Sequence, residues 1–286
     1  MKCAPIVLVS LILALPSVNA AINIVFDYGT TSAADIATYG STFSAAETFW
    51  ESQLTGYRDT GLNAPTQILI NVDLGAIDGV GGTLGSAGPT YGNFGGSFVE
   101  ATEGDMTFDT ADLDTMVTAD VFEAVIRHEI GHVLGFGTLW GLNGVYTNGT
   151  GQYTGTAALA AFQIEFDQPD ATYIPVELDG GDGTANGHWN MGVYLGASEA
   201  LDSRDDPGDT VVYTSVNNGF SLDDELMTGF LTGDFLSNTT LQSFYDIGYE
   251  VALDIMGSPV PEPATCALLM AIGSGFVVLR RKRRIL

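Results

Sequence analysis

His128-Glu129-Ile130-Gly131-His132 places two imidazoles four residues apart, with a carboxylate beside the first. On a helix that spacing is about one turn, so both rings can reach one ion. Zinc, about 2.0–2.1 Å from each nitrogen, is the expected occupant. Glu129 is not needed as a ligand. It is placed to take a proton from a water whose pKa zinc lowers to about 7, and to return it to a leaving amine. The chemistry expected of such a group is peptide-bond hydrolysis. The bland alternative is a pair of solvated histidines on a surface helix. A catalytic zinc site normally takes three protein ligands. The chain has three histidines, and the third is His188, in Gly187-His188-Trp189 behind the loop Gly180-Gly181-Asp182-Gly183-Thr184. His188 is therefore the expected third ligand, with Glu165, Glu177 or an aspartate as the alternative.

The elements that must position these residues read as an α+β pattern. A helix is expected from Ala119 to Leu134. Phe122, Ile126, Ile130, Val133 and Leu134 fall on one side of it, His128 and His132 on the other, and Glu129 at the edge. Gly135 and Gly137 stop it. Upstream, Ile22 to Tyr28 alternates like a first strand. Ser44-x-x-Glu47 is a capping-box pattern that opens a helix from Ser44 to Tyr57. Thr66 to Asp73 and Gly104 to Asp109 read as strands, and the glycine-rich Gly75 to Gly96 as loop with short strands. Beyond Thr138 periodicity fades. Ala157 to Phe166 reads as a helix, and Leu241, Phe244 and Ile247 mark a short last helix ending at Gly248.

Both ends read as targeting material. Lys2, the apolar run Ala4 to Leu15 and Val18-Asn19-Ala20 follow the order of a signal peptide, assigned to residues 1–20 and implying signal peptidase as a processing partner. At the other end, Pro261-Glu262-Pro263, the apolar stretch Ala264 to Leu279 and Arg280-Arg281-Lys282-Arg283-Arg284 come in succession. That tail, 259–286 with a span at 264–279, resembles the PEP-CTERM sorting signal. The resemblance implies an exosortase partner in a bacterium with an outer membrane. It also implies transient anchoring in the inner membrane and a secreted or cell-surface destination. An ordinary anchor is the alternative. Positive charge after the span would keep the terminus cytoplasmic.

Of nine basic residues six lie in these ends, but only one of 35 acidic residues does, so the body between them is formally −31. Such a body is not expected to bind nucleic acid or anionic lipid, and membrane contact is expected only through the tail. Calcium is a candidate second ion. Asp202, Asp205, Asp206 and Asp209 in the stretch Asn190 to Asp224 are either a calcium loop, a lid or a solvated acidic loop, and no calcium-loop spacing is present. Cys3 and Cys266 both lie in the ends, so the body has neither disulfide nor thiol nucleophile.

The run His128 to Thr138 resembles the metzincin peptidases, whose His-Glu-x-x-His-x-x-Gly-x-x-His motif is followed by a methionine turn. Gly135 fits, whereas Thr138 stands at the usual third-histidine position. The leishmanolysin-like branch carries an insertion between glycine and third histidine, and the long stretch from His132 to His188 resembles it. Gly135-Phe136-Gly137-Thr138-Leu139-Trp140, Gly187-His188-Trp189, Glu225-Leu226-Met227-Thr228-Gly229 and Tyr245-Asp246-Ile247-Gly248-Tyr249 are similar to segments of that branch. The likeness is strongest from Asp105 to Val251. Family members are often disulfide-rich, and this chain departs from them there.

The resemblance implies a metzincin-like fold. Its N-lobe (21–137) would hold a twisted mixed sheet and two long helices. An irregular C-lobe (138–258) would face it across a cleft. It further implies Met227 beneath the metal and an edge strand, Asp105 to Asp109, that pairs with extended substrate. With so little chain before the first helix, no sizeable pro-segment is expected. The expectation is a zinc endopeptidase acting on peptides or proteins. The alternative is a non-catalytic metal-binding surface or matrix protein on the same scaffold.

Overall fold

The computed structural model describes residues 21–29, 31–59, 65–181, 183–191 and 212–252. The compact unit that contains them spans Ala20–Val260. The expected signal peptide, sorting tail, both cysteines and Asp202, Asp205, Asp206 and Asp209 lie outside the described residues.

Strand β1 is Ile24–Asp27, and helix α1 runs over Ala33–Gln53. This helix starts well before Ser44. Ser32 is the N-cap: its hydroxyl accepts the Asp35 N–H at 3.1 Å and donates to the Asp35 carboxylate at 2.6 Å. Ser32-x-x-Asp35 and Ser44-x-x-Glu47 offer equivalent caps. Tertiary packing selects the first, because Tyr39 and Phe43 extend the apolar stripe onto Phe122, with ring centroids 5.5 and 5.9 Å away. The helix also stops short of Tyr57. Leu54–Tyr57 instead forms strand β2, whose partner is a C-terminal strand, Tyr249–Val251.

Strands β3 (Ile68–Gly75), β4 (Gly85–Asn93) and β5 (Glu100–Asp109) follow. The main sheet has the order β1-β3-β5-β4, with β1, β3 and β5 parallel and β4 antiparallel to β5. Two expectations need correction here. Gly85–Asn93 is a single nine-residue strand, irregular in register between Pro89 and Gly92, rather than loop with short strands, because backbone pairing with β5 needs no side-chain pattern and an edge tolerates Pro89. Consequently β5, which contains Asp105 to Asp109, is an interior strand, and β4 is the edge on that side, with β1 at the other.

Two helices come next, α2 (Leu113–Thr118) and α3 (Phe122–Leu134), and α3 packs on β4 and β5 of the sheet. The expected start of α3 at Ala119 is too early, since Asp120 adopts φ 60° and separates the two. Phe122, Ile126, Ile130, Val133 and Leu134 are all buried, as their spacing requires. Helices α1 and α3 lock together where the Trp50 indole N–H donates to the Arg127 carbonyl at 2.8 Å.

The remainder has little regular structure. Strand β6 (Gln152–Tyr153), helix α4 (Thr156–Glu165), strand β7 (Ile174–Pro175), a 3₁₀ turn at Leu222–Asp224, helix α5 (Asn238–Asp246) and strand β8 (Tyr249–Val251) are linked by turns. Helices α4 and α5 sit where the sequence places them. Their coherence comes from rings: Phe136, Trp140 and Trp189 lie with centroids 4.5–5.0 Å apart, and Tyr153 is 5.3 Å from Trp189.

Candidate metal centre

His128 and His132 stand one turn apart on α3. Gly135 ends the helix in the left-handed region at φ 117°, which favours glycine. The chain then reverses, and Gly137 (φ 71°) meets the loop carrying the third histidine. A Cβ on Gly137 would lie 2.3 Å from the Gly187 carbonyl oxygen. Across that contact His188 reaches the helical pair.

The three Nε2 atoms converge. His128 to His132 is 3.0 Å, His132 to His188 is 2.9 Å, and His128 to His188 is 3.1 Å. Each Nδ1 faces a backbone carbonyl: Leu226 at 2.6 Å for His128, Phe136 at 3.0 Å for His132, and Thr184 at 2.8 Å for His188. A carbonyl can only accept, so each Nδ1 carries the ring proton and donates it. Burial pulls all three imidazoles below their usual pKa, His132 well below and His188 to about 3, and the proximity of other imidazoles pulls His132 and His188 down further. The rings are therefore neutral, and three bare lone pairs point at one another. No hydrogen bond can form among them. A cation satisfies all three at once, and tetrahedral zinc needs nitrogens about 3.3 Å apart. The donor set fits a zinc-type ion. These three are the metal-capable group found among the described residues.

The acidic alternatives are engaged elsewhere. Glu165 accepts the N–H groups of Asn238 and Thr239 and the Thr239 hydroxyl at the start of α5, and Glu177 accepts the Asp179 N–H. Glu129 is 5% exposed, and burial pushes its carboxyl up to about 8. A neighbouring cation acts in the opposite direction.

Met227 is fully buried against α3. A Cβ on Gly131, the residue before His132, would lie 2.8 Å from both Sδ and Cε of Met227. The segment Glu225–Gly229 is thus tied to the ligand helix twice, by this contact and by the Leu226 carbonyl on His128. It is also tied to the residue after His188, since the Trp189 N–H donates to the Met227 carbonyl at 3.1 Å. The sequence does not mark the three orienting carbonyls, because a backbone oxygen carries no residue identity. It also conceals Gly85 of β4, which lies against the Glu129 carboxylate. A cavity of about 510 Å³ lined by Phe162, Asp167, Tyr173 and Tyr213 includes none of the residues of the histidine centre.

The described chain is thus an α+β protein with a three-histidine centre that could hold a metal. Residues 259–284 match the PEP-CTERM protein-sorting motif, which marks the protein for secretion or cell-surface sorting through an exosortase. No curated protein matches the chain. No helix among the described residues is long and apolar enough to cross a membrane.

Proposed function

We propose that this chain is a zinc-dependent endopeptidase of the leishmanolysin-like metzincin type, sorted outward by its C-terminal signal. The observation that carries the reading is the meeting of three neutral, proton-free Nε2 atoms within 3.1 Å, with Glu129 beside them on the same helix. His128, His132 and His188 would hold the ion. Zinc bound there supplies Lewis acidity and lowers the pKa of water.

The remaining work falls to the chain. Glu129, buried and adjacent to the ligands, takes the proton of the attacking water and delivers it to the leaving amine. The Leu226, Phe136 and Thr184 carbonyls fix ring orientation and raise ligand basicity. Strand β4, the edge strand on the side of α3, can add an extended peptide as a further strand and so present a carbonyl to the site. Met227 supports the ligand helix from behind.

The test pairs metal analysis of the purified full-length chain with cleavage of casein. One equivalent of zinc and chelator-sensitive cleavage are expected. Glu129→Gln should keep the zinc and lose about 10²–10⁴-fold in rate. Undiminished cleavage by that variant refutes the proposal.

A further inference from the structure

We infer that Gly85, on the edge strand β4, is a positioning residue that sets where the Glu129 carboxylate sits. The inference rests on Glu129 acting as the base. A Cβ at Gly85 would lie 2.6 Å from Glu129 Oε1 and 3.0 Å from its Cδ and Cγ. Those separations are shorter than van der Waals contact, so something must move. Gly85 does not adopt a positive φ, so conformational freedom is not the reason for glycine there.

What can move is decided by what is pinned. The strand is held by its pairing with β5, where Gly85 faces the buried Phe108, and by the Asp109 N–H, which donates to the Leu84 carbonyl at 3.0 Å. The helix is held one turn later, where Val133 fills the space over Gly104. A Cβ on Gly104 would come within 2.5 Å of Val133 Cγ1 and 2.7 Å of the Gly88 carbonyl. The imidazoles on either side of Glu129 are fixed by carbonyls. The carboxylate is the free end of a flexible side chain, and it gives way first. A methyl group at residue 85 therefore leaves the fold and the three histidines in place and displaces the base. A displacement of about 1 Å in a reacting group costs about 10²-fold in rate.

The experiment uses the full-length chain carrying Gly85→Ala, Glu129→Asp, or both. Gly85→Ala should retain one equivalent of zinc and melt within a few degrees of wild type. Its kcat on a casein-derived peptide should fall about 100-fold, with KM changed less than about threefold. Glu129→Asp shortens the side chain away from the added methyl, so the double variant should be no slower than Glu129→Asp alone. A crystal structure of zinc-free Gly85→Ala should show the carboxylate displaced by about 1 Å with the three Nε2 atoms still converged. An unmoved carboxylate, a kcat within threefold of wild type, loss of zinc or fold, or additive losses in the double variant each overturns the inference. Wild-type protein that binds zinc without cleaving any peptide overturns the proposed function instead, and the crystal structure still reads the Gly85 contact independently.

Discussion

Glu225 offers the sharpest test of how the centre is held. It is 1% exposed and has no cationic partner among the described residues. One oxygen accepts the Met227 N–H at 2.6 Å, and the other accepts the Ser237 N–H and hydroxyl, both at 3.0 Å. Ser237 is the N-cap of α5, and the carbonyl of Leu226 receives the His128 proton. One carboxylate therefore joins the start of α5 to the segment that orients a ligand. Glu225→Ala strips the acceptor from two buried N–H groups, while the Ser237 hydroxyl keeps Thr240 Oγ1 at 3.1 Å. At about 1–3 kcal/mol per orphaned donor, the loss is about 2–6 kcal/mol. Glu225→Gln keeps one acceptor oxygen and turns an N–H₂ toward a donor, costing about 1–3 kcal/mol.

Urea unfolding of zinc-free protein, followed by fluorescence of the fully buried Trp50, Trp140 and Trp189, measures both variants. Competition with a chelating dye should show zinc affinity falling about 10–100-fold, as for other outer-sphere partners. The pH dependence has a defined sign. Burial pushes the Glu225 carboxyl up to about 7, against the pull of its hydrogen bonds, so the folded state holds this proton more tightly than the unfolded chain. The stabilisation from that proton is full below about pH 4.5 and is lost as pH rises through about 7. Glutamine does not titrate, so the deficit of Glu225→Gln should shrink by up to about 3 kcal/mol between pH 4.5 and 8. An alanine variant that unfolds at the wild-type midpoint and binds zinc with wild-type affinity refutes the reasoning.

Other expectations follow from the same geometry. His188→Ala should weaken zinc by more than about 100-fold in dye competition, and stoichiometric zinc after dialysis against a mild chelator would mean that a carboxylate replaces it. Gly137 and Gly144 share nearly the same φ, 71° and 72°, but only Gly137 has a neighbour where a Cβ would go, the Gly187 backbone. Gly144→Ala should therefore cost about 1–2 kcal/mol of strain, and Gly137→Ala more than that together with a loss of zinc affinity, both read by denaturation and titration. Glu100 is fully buried, has one oxygen without a partner, and burial pushes its carboxyl up to about 7. Its proton stabilises the fold at acid pH and is lost as pH rises through about 7, so Glu100→Gln should be more stable than wild type at pH 8, by about 1–3 kcal/mol. The two should lie within about 1 kcal/mol at pH 5, and thermal melts at both pH values decide it.

The parts of this fold written in side-chain periodicity were legible, and the parts written in backbone were not. Helix α3 announces itself because five apolar residues and two glycine stops agree on one element. The histidine cluster was legible because a chain with three histidines leaves few ways to complete a site. The start of α1 was not, since two serine-led caps compete and only packing on Phe122 separates them. Strand β4 was hidden for a different reason. Gly-Ser-Ala-Gly-Pro-Thr-Tyr-Gly-Asn shows no alternation, and what makes it a strand is a ladder with β5 that uses no side chain. The resemblance put the substrate-pairing edge at Asp105 to Asp109, and β4, lying outside β5, moves that edge outward by one strand.

The described residues after α3 form a coherent structure through packing, with both cysteines outside the described residues. Trp189, next to His188, stacks on Trp140, meets Phe136 edge-on, and donates its indole N–H to Thr240 Oγ1 at 2.8 Å. Aromatic pairs of this kind contribute about 0.5–1.5 kcal/mol each beyond area burial. These contacts fix the residue that follows His188 and so help to place its ring against the helical pair. Metal affinity should then depend on the aromatic contacts of Trp189 as much as on the imidazoles themselves.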